Sequence, residues 1–342
     1  MSLVSILVPV YKVEPYIERC ARSLFGQSYP DLEFVFVDDC SPDNSCGVLL
    51  TILEEYPHRK SMTKVLHHQT NRGLAAARNT ALDNATGDFV CVVDSDDWLE
   101  EDAIVHLVRK QKETDADIVT GNAYMHYVDG VKELTNRNDS DKEQILIRQL
   151  KDTWTMYTFI WGRLYRRSLY EDNHVRCMEG VDYAEDRYQV VRLFYFANKF
   201  VFVEDFVYNY EKRNDTSITV MQKTDMAVYL KNQDQHLQNW IGIRDFFHDK
   251  ENEYYQLAVD NTARLLELNL KWALKYKTEA DFRAITGLID ENEDCAQVLG
   301  WRKSGLRGTL LHNYHWMWVK QSLERALRFV RRKLRIGGDK KD

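Results

Sequence analysis

Short apolar runs alternate with helix-patterned segments along the first 120 residues, and few folds accommodate that order. The apolar runs predict four strands, at residues 4–10, 32–37, 65–66 and 89–93. Helices are predicted at residues 15–26, from Ser41 as cap with Pro42 in the first turn, at 74–85 and at 98–110. This alternation predicts a parallel, doubly wound α/β sheet, which binds ligands at the carboxyl ends of its strands.

The rest of the chain has a different character. Residues 121–225 mix aromatic and charged side chains and predict an α+β continuation of the same sheet. All five prolines lie in the first 57 residues, and the chain after about residue 223 is helix-patterned and poor in glycine. We therefore divide the chain into three regions, at residues 1–120, 121–222 and 223–342.

Composition excludes several classes of protein. The chain has 342 residues, of which 44% are hydrophobic, so it can bury a sizeable core. A formal net charge of −7 argues against nucleic-acid binding. The six cysteines follow no disulfide or zinc-site spacing, which indicates reduced thiols in a cytoplasmic protein. The apolar run at residues 4–10 does not resemble a signal peptide, and no stretch reaches the ~20 apolar residues of a membrane span.

Acidic residues are concentrated just after the last predicted strand of the first region. Six of the nine residues from 94 to 102 are acidic, including Asp94, Asp96 and Asp97. Such carboxylates repel one another and repel phosphate, whereas Mg²⁺ or Mn²⁺ could join them to a diphosphate. The alternative is a solvated loop in which Asp97 caps the next helix.

A second acidic pair, Asp38 and Asp39, ends another predicted strand. Both acidic pairs should therefore open into one crevice at the edge of the sheet. An aspartate there can accept hydrogen bonds from a base imide or from ribose hydroxyls, and Asp39 is the better candidate. Asp38 serves equally well as a turn residue.

Four segments occur in a fixed order: SILVPVY at 5–11, VDDCSPDNS at 37–45, NRGLAAARN at 71–79 and DSDD at 94–97. Together they resemble family 2 glycosyltransferases of the GT-A fold over about residues 3–120. The resemblance implies a GT-A type doubly wound mixed sheet with a Rossmann-like nucleotide-binding half and a C-terminal helical region. It also implies an inverting transfer from a nucleotide-diphosphate sugar, commonly a UDP-sugar, with Mn²⁺ or Mg²⁺.

The same resemblance implies roles for individual residues. Pro9, Tyr11 and Asp39 would line the nucleoside pocket, and Arg78 would lie against the nucleotide. Asp94 would approach the ribose and the metal, and Asp96 would ligate the metal. Residues 1–120 would then bind the nucleotide sugar, and residues 121–222 would hold the acceptor-binding, catalytic half. Cys40 stands where the family commonly has glycine, a departure that concerns the shape of the turn.

Inverting transfer needs a base that takes the proton of the acceptor hydroxyl. The acidic run at residues 179–186 precedes a predicted helix, and family members carry an acidic pair at this place. We assign Asp186 as the base, with Glu185 and Asp182 as alternatives. A helix start keeps an aspartate ionised, although ordinary helices also begin with acidic residues.

Two further segments are candidates for substrate contact. Trp161, with Arg163, Arg166 and Arg167, could pack on a sugar ring and offset the diphosphate, or could be a core tryptophan with surface arginines. Residues 213–217 resemble a segment that closes over the donor in relatives.

The C-terminal tail is basic and amphipathic. Seven basic residues lie between 320 and 335 against one acid, Glu324, and tryptophans 316 and 318 precede them. This pattern predicts that residues 316–336 contact an anionic membrane at its inner face, near a lipid-linked saccharide acceptor. The alternative is a helix that packs on its own domain.

Other functions fit the sequence less well. A phosphatase of the haloacid-dehalogenase type needs a threonine or valine where Trp98 stands, and a sugar nucleotidyltransferase needs a glycine-rich loop after the first strand. A non-catalytic nucleotide-sugar-binding or membrane-associated scaffold protein remains as the alternative. The predicted function is glycosyl transfer to a glycan or a lipid-linked saccharide in cell-surface polysaccharide synthesis.

Overall fold

The computed structural model describes residues 2–135, 141–151, 156–250, 252–276 and 278–301, together with 313, 314, 316, 317, 319 and 320. The chain forms two compact units, Met1–Phe246 and Phe247–Asp342. Every candidate catalytic, nucleotide-binding or metal-binding residue lies in the first unit. The boundaries at residues 120 and 222 stay predictions, because they divide the chain by role.

Four parallel strands form the first half of the sheet, in the order β3-β2-β1-β4. They are β1 (Val4–Val10), β2 (Leu32–Asp38), β3 (Thr63–His67) and β4 (Phe89–Val92). The connections contain α1 (Ile17–Phe25), α2 (Ser45–Glu55), a 3₁₀ helix (Pro57–Met62) and α3 (Leu74–Asp83). All residues of β1 are buried, as expected of a strand covered on both faces.

The second half of the sheet is mixed. It contains β5 (Trp98–Leu99), β6 (Ile118–Tyr127), β7 (Gly130–Leu134), β8 (Arg163–Arg166) and β9 (Phe200–Glu211). From β4 the order continues β8-β6-β9-β5, and β7 pairs with β6. β8 is antiparallel to both β4 and β6, whereas β6 and β9 are parallel. The predicted doubly wound α/β sheet is therefore confirmed, as a mixed sheet.

Helices make up most of the remaining described chain. In the first unit they are α4 (Ala103–Thr114), α5 (Lys142–Leu150), a 3₁₀ helix (Met156–Thr158), α6 (Ser168–Glu171), α7 (Glu185–Phe196) and α8 (Ile218–Thr224), followed by α9 (Met226–Phe247), of which all but the last residue belongs to this unit. The second unit contains α10 (Asn252–Tyr276), α11 (Glu279–Glu291) and α12 (Glu293–Val298). Within the described residues no strand follows β9, and no helix has both the length and the apolarity needed to cross a bilayer.

The helix predicted to begin at Ser41 and Pro42 begins instead at Ser45. Asp43 Oδ1 accepts hydrogen bonds from the backbone N–H of Ser45 at 3.3 Å and from its hydroxyl at 2.6 Å. The other oxygen, Oδ2, accepts from the N–H of Glu14 at 3.2 Å. These bonds hold the chain in a turn before the helix can start.

The prediction of a helix from Trp98 was wrong at its start. Trp98 and Leu99 form β5, which pairs with Asn209 and Tyr208 of β9, and α4 begins only at Ala103. The sequence does not reveal this pairing, because the partner strand lies far along the chain. Through this strand the chain rejoins the sheet directly after residue 97.

Candidate active site

Three parallel strands deliver candidate residues to one edge of the sheet. β1 and β2 are in register, with Val10 opposite Asp38, so Tyr11 and Asp39 follow their strands side by side. The N–H of Asp39 donates to Val10 O at 2.9 Å, and that of Val93, just before Asp94, donates to Leu7 O at 3.0 Å. As predicted, both acidic pairs follow the carboxyl ends of strands, namely β2 and β4, which flank β1 on either side.

The Asp39 carboxylate organises the loop that leads into α3. It is 2% exposed and accepts hydrogen bonds from the backbone N–H groups of Arg72 and Gly73, both at 2.8 Å. His68 Nδ1 lies 2.6 Å from Oδ1, and the other ring nitrogen lies 2.9 Å from the hydroxyl of Thr80 in α3. Asp39 therefore has a structural role, and contact with a nucleoside stays a prediction for it. Sequence reasoning did not find His68, which no motif marks.

Asp38 behaves as a turn residue. Its Oδ1 accepts from the N–H of Ser41 at 2.9 Å, and its Oδ2 lies 3.2 Å from Nδ1 of His67 at the end of β3. The sequence allowed either a ligand contact or a turn role for Asp38, and these contacts fit the turn role.

Arg78 joins two carboxylates from distant parts of the chain. It lies in α3, is buried, and donates through Nη2 to Asp94 Oδ1 at 2.6 Å and through Nη1 to Glu185. Burial disfavours its charge, but the two carboxylates outweigh that effect and hold its pKa well above the usual value. Both terminal nitrogens are thus engaged with protein, and contact with the nucleotide stays a prediction.

Asp94 and Asp96 differ in their surroundings. Asp94 has the guanidinium of Arg78 as partner. Asp96 is partly exposed, and its Oδ2 accepts from Asn214 Nδ2 at 2.8 Å. Burial, and then the neighbouring charge of Asp94, raise the pKa of Asp96 to about 6. A carboxylate held in this way is stabilised by an added cation.

The third aspartate, Asp97, is not a helix cap. It is fully buried, and its carboxylate accepts from the hydroxyl of Tyr208 at 2.6 Å and from the N–H of Glu211 at 2.7 Å. Burial and the nearby charges of Asp96 and Asp94 raise its pKa well above the usual range. Asp97 ties the acidic segment to β9.

The three candidate bases make different contacts. Asp182 Oδ1 accepts from the N–H of Ala75 at 3.0 Å, at the start of α3. Glu185 is buried against Arg78. Asp186 is partly exposed and accepts from the N–H of Arg187 at 2.9 Å. Burial raises the pKa of Asp186, and the positive charge of Arg78 opposes this.

Trp161 and Arg163 lie in the core. Trp161 is 3% exposed and stacks on Tyr208 and Phe159, with ring centroids 4.5 Å away in both pairs. The Arg163 side chain is fully buried and donates to the Phe159 carbonyl and to Thr120 Oγ1. The sugar-platform interpretation is therefore wrong for Trp161, and Arg163, which has no exposed surface, is a core residue as well.

The other two arginines of that segment are bound elsewhere. Arg166 pairs with Asp115 at 2.8 Å and Asp117 at 2.9 Å, and Arg167 donates to Gly87 O at 2.6 Å. Gly87 precedes β4, so Arg167 contacts the end of the sheet opposite to Asp94. The surface interpretation of Arg166 and Arg167 describes these contacts better.

Residues 213–217 contact the acidic segment, residues 94–97. The sequence predicted only that residues 213–217 would close over a donor. Besides the bond from Asn214 to Asp96, Arg213 Nε donates to Glu211 Oε1 at 2.6 Å. Arg19 Nη2 reaches Glu211 Oε2 at 3.0 Å and Asp96 O at 3.2 Å. Although burial opposes it, hydrogen bonding from Arg213 and Arg19 lowers the pKa of Glu211 to about 2. No local motif marked Arg19 or Glu211.

The remaining nucleoside candidates differ in exposure. Pro9 is buried within β1, and Tyr11 is 40% exposed. A cavity of about 690 Å³ lies nearby, lined by Lys12, Glu14, Pro15, Tyr16, Glu18, Pro42, Asp43, Val48, Asp215 and Thr216. Asp215 and Thr216 come from the predicted segment 213–217, whereas none of the residues predicted to bind the nucleoside or the metal or to act as base lines the cavity. We place the candidate site at the strand-end carboxylates, where the perturbed ionisable groups are found.

The chain matches a family model described as "Glycosyl transferase family 2" over residues 5–173. "Uncharacterized glycosyltransferase EpsJ" of Bacillus subtilis is 31% identical over 263 residues, covering 75% of this chain and 72% of that protein. "Glycosyltransferase GlyA" of Streptococcus pneumoniae is 28% identical over 95% of this chain, which spans 50% of the length of GlyA.

A solved structure shows a similar fold. The crystal structure of S. aureus TarS 1–349 in complex with UDP-GlcNAc superposes with a TM-score of 0.55, covering 90% of this chain and 95% of that one. The two sequences are 21% identical. The likeness shows that the predicted GT-A type architecture is shared.

Proposed function

Because the chain belongs to glycosyl transferase family 2, we propose that it transfers a sugar from a nucleotide-diphosphate sugar, with inversion at the anomeric carbon. We propose a UDP-sugar as the donor, which the TarS complex with UDP-GlcNAc supports. The acceptor is a glycan or a lipid-linked saccharide, and the setting is cell-surface polysaccharide synthesis.

One observation carries the proposal: Arg78 pairs with Asp94 and Glu185 at the strand ends, while Asp96 and Asp186 are left partly exposed with raised pKa values. A cluster of four carboxylates with one arginine carries excess negative charge. This charge suits a cation, and a partly exposed carboxylate suits proton transfer.

The proposed chemistry follows from these contacts. Asp186 takes the proton of the acceptor hydroxyl while the hydroxyl oxygen attacks the anomeric carbon. The bond between that carbon and the diphosphate oxygen breaks on the opposite side, and the nucleoside diphosphate leaves with the bonding electrons. Glu185 serves as a positioning residue, since its carboxylate is engaged with Arg78.

Asp94 and Asp96 would hold the metal ion, Mn²⁺ or Mg²⁺. The raised pKa of Asp96 supports the fit, because a hard cation stabilises a partly desolvated carboxylate that lies beside another one. When bound, the ion would neutralise the charge that develops on the leaving diphosphate. The proposal places the nucleoside against Pro9, Tyr11 and Asp39.

We propose that the protein acts in the cytoplasm, at the inner face of the cell membrane. The support is the basic, amphipathic pattern of residues 316–336, most of which lie outside the described residues. This position would bring the site close to a lipid-linked acceptor.

The proposal is tested by incubating the protein with a panel of UDP-sugars and Mn²⁺ and measuring release of UDP. We expect slow hydrolysis of one donor without acceptor, abolished by a chelator and by Asp96→Asn. Asp129→Asn, a matched change at an exposed residue in the β6–β7 turn, should leave the rate unchanged. Donor binding without turnover under all conditions would favour the non-catalytic alternative.

A further inference from the structure

A second cluster of potential metal ligands lies at the opposite edge of the first half-sheet from β4. Asp38, Cys46 and His67 each direct one ligand atom into a region in which the three atoms lie within 4.8 Å of one another. Among the described residues this is the one group of three or more such side chains. It shares no residue with the acidic pair Asp94 and Asp96.

The framework around this cluster is fixed by the sheet. Asp38 ends β2 and His67 ends β3, and the two residues are paired in register. The N–H of His68 donates to Asp38 O at 2.9 Å, and Asp38 Oδ2 already lies 3.2 Å from His67 Nδ1. Cys46 lies in the first turn of α2, next to Ser45, whose hydroxyl bonds to Asp43. Three separate elements therefore present the ligands.

The types of ligand select the metal. A thiolate, an imidazole and a carboxylate form a tetrahedral set that favours Zn²⁺, whereas Mg²⁺ and Mn²⁺ prefer oxygen ligands. Ligand atoms around zinc lie ~3.5 Å apart, so the side chains need move only about 1 Å closer. His67 is 55% exposed and can make that adjustment. Three protein ligands leave a fourth position for water.

We propose that Asp38, Cys46 and His67 form a Zn²⁺ site. Binding replaces the contact between Asp38 and His67, and the thiol of Cys46 releases its proton to solvent as the sulfur bonds to zinc. The ion fixes the ends of β2 and β3, from which Asp39 and His68 emerge. The site therefore adjoins Asp39, and its occupancy does not depend on the proposed glycosyl transfer.

Cobalt provides a direct test, because Co²⁺ bound to a thiolate gives a sulfur-to-cobalt charge-transfer band. A site made of carboxylates alone does not give this band. Metal-free protein titrated with Co²⁺ should develop this band and lose it when Zn²⁺ is added. Cys46→Ser should abolish the band, and His67→Ala should weaken Co²⁺ binding at least about tenfold. Cys40→Ser and His58→Ala, which change exposed residues outside the trio, should retain it.

Thermal melting gives a second readout that needs no absorption band. Zn²⁺ should raise the Tm of the wild type and of Cys40→Ser, relative to EDTA, and leave that of Cys46→Ser unchanged. The melt in EDTA shows whether each variant is folded. A wild type without a thiolate band, a band that survives Cys46→Ser, or an equal rise in Tm for Cys46→Ser would overturn the proposal.

Discussion

Of the four carboxylates grouped around Arg78, two are bound to its guanidinium and two are not. Asp94 and Glu185 accept its hydrogen bonds, whereas Asp96 and Asp186 have no share in them and are partly exposed. The pKa of Glu185 is also raised, to about 8, because burial outweighs the positive charge of Arg78, so the two pairs differ in their contacts with Arg78. The division of roles proposed above, with Asp186 as base and Asp96 as metal ligand, follows from this difference.

Asp186→Asn tests the role of the base. An amide cannot take the proton of the acceptor, so we expect kcat to fall by about 10²- to 10⁴-fold with donor affinity little changed. The measurement is transfer to an acceptor, alongside donor binding by calorimetry. If Asp186→Asn kept full activity while Glu185→Gln lost it without unfolding, the base would be Glu185.

The pKa of Asp96 predicts a pH dependence of metal binding. Below pH about 6 a proton occupies the carboxylate and competes with Mn²⁺, so the apparent affinity should fall with pH there and level off above it. Asn214→Ala removes the hydrogen bond that favours the ionised form and should move the midpoint upward. Titration of Mn²⁺ at several pH values measures it, and a profile flat across pH 6 would contradict the assignment.

The stability of the metal-free protein changes with pH in the opposite direction to its metal affinity. The native state of the metal-free protein holds the Asp96 proton more tightly than the unfolded chain does. Its contribution to the free energy of unfolding therefore decreases as pH rises from the usual aspartate pKa toward about 6. Metal bound to Asp96 offsets this loss.

Candidate residues could be found from the sequence where they directly follow a predicted strand. Asp39, Asp94 and Asp96 follow apolar runs directly, and the structure places all three at the expected edge. His68 and Glu211 could not be found, because their significance comes from contacts across the sheet with Asp39 and Arg19. Arg163 was interpreted as a diphosphate contact or a surface arginine for the same reason, since its burial depends on a contact with Thr120 of a neighbouring strand.

At the scale of the element, α3 depends on the residue before its first turn. Gly73 has φ 91° and ψ 164°, a conformation almost restricted to glycine. A Cβ at this position would overlap the carboxylate of Asp182, which accepts from the N–H of Ala75. Asp182 can approach the helix start only because residue 73 has no side chain.

Gly73→Ala should lower the free energy of unfolding by roughly 1–3 kcal/mol from the backbone alone, with a further loss from the clash. Gly130→Ala is the matched control. Gly130 also has a positive φ, 136°, but a Cβ there meets no atom within 4 Å. Denaturant titration of both variants measures the difference, and equal losses would show that the contact with Asp182 is unimportant.

Element positions followed the sequence wherever the signal was local. The strand β1 has the predicted bounds, and α3 begins at the predicted residue. Apolar runs favour strands and alanine-rich stretches favour helices without help from distant contacts. α2 starts later because Asp43 holds the preceding turn. β5 was missed because it is short and exists only through its pairing with β9.

At the scale of the whole molecule, the candidate catalytic, nucleotide-binding and metal-binding residues all lie in Met1–Phe246. Most of the predicted amphipathic tail lies outside the described residues, so membrane contact stays a prediction. It comes from charge and periodicity, which indicate an affinity for anionic surfaces but do not distinguish a bilayer from the protein's own surface.

Deletion of residues 316–342 tests the membrane contact. We expect the shortened chain to lose binding to vesicles that contain anionic lipid, because seven basic residues are removed from the segment 320–335. Vesicle co-sedimentation measures the effect, with neutral vesicles as control. Donor binding should be unchanged, and undiminished sedimentation would mean that the tail does not contact lipid.

The short strand β5 has a further consequence for how such a site can change. The acidic segment is attached to the sheet at both ends, by β4 before Asp94 and by the pairing of Trp98 with Asn209 after Asp97. An insertion within it would pull Trp98 out of register or push Asp97 away from Tyr208. Change at residues 94–97 is therefore expected to proceed by replacing side chains at constant length.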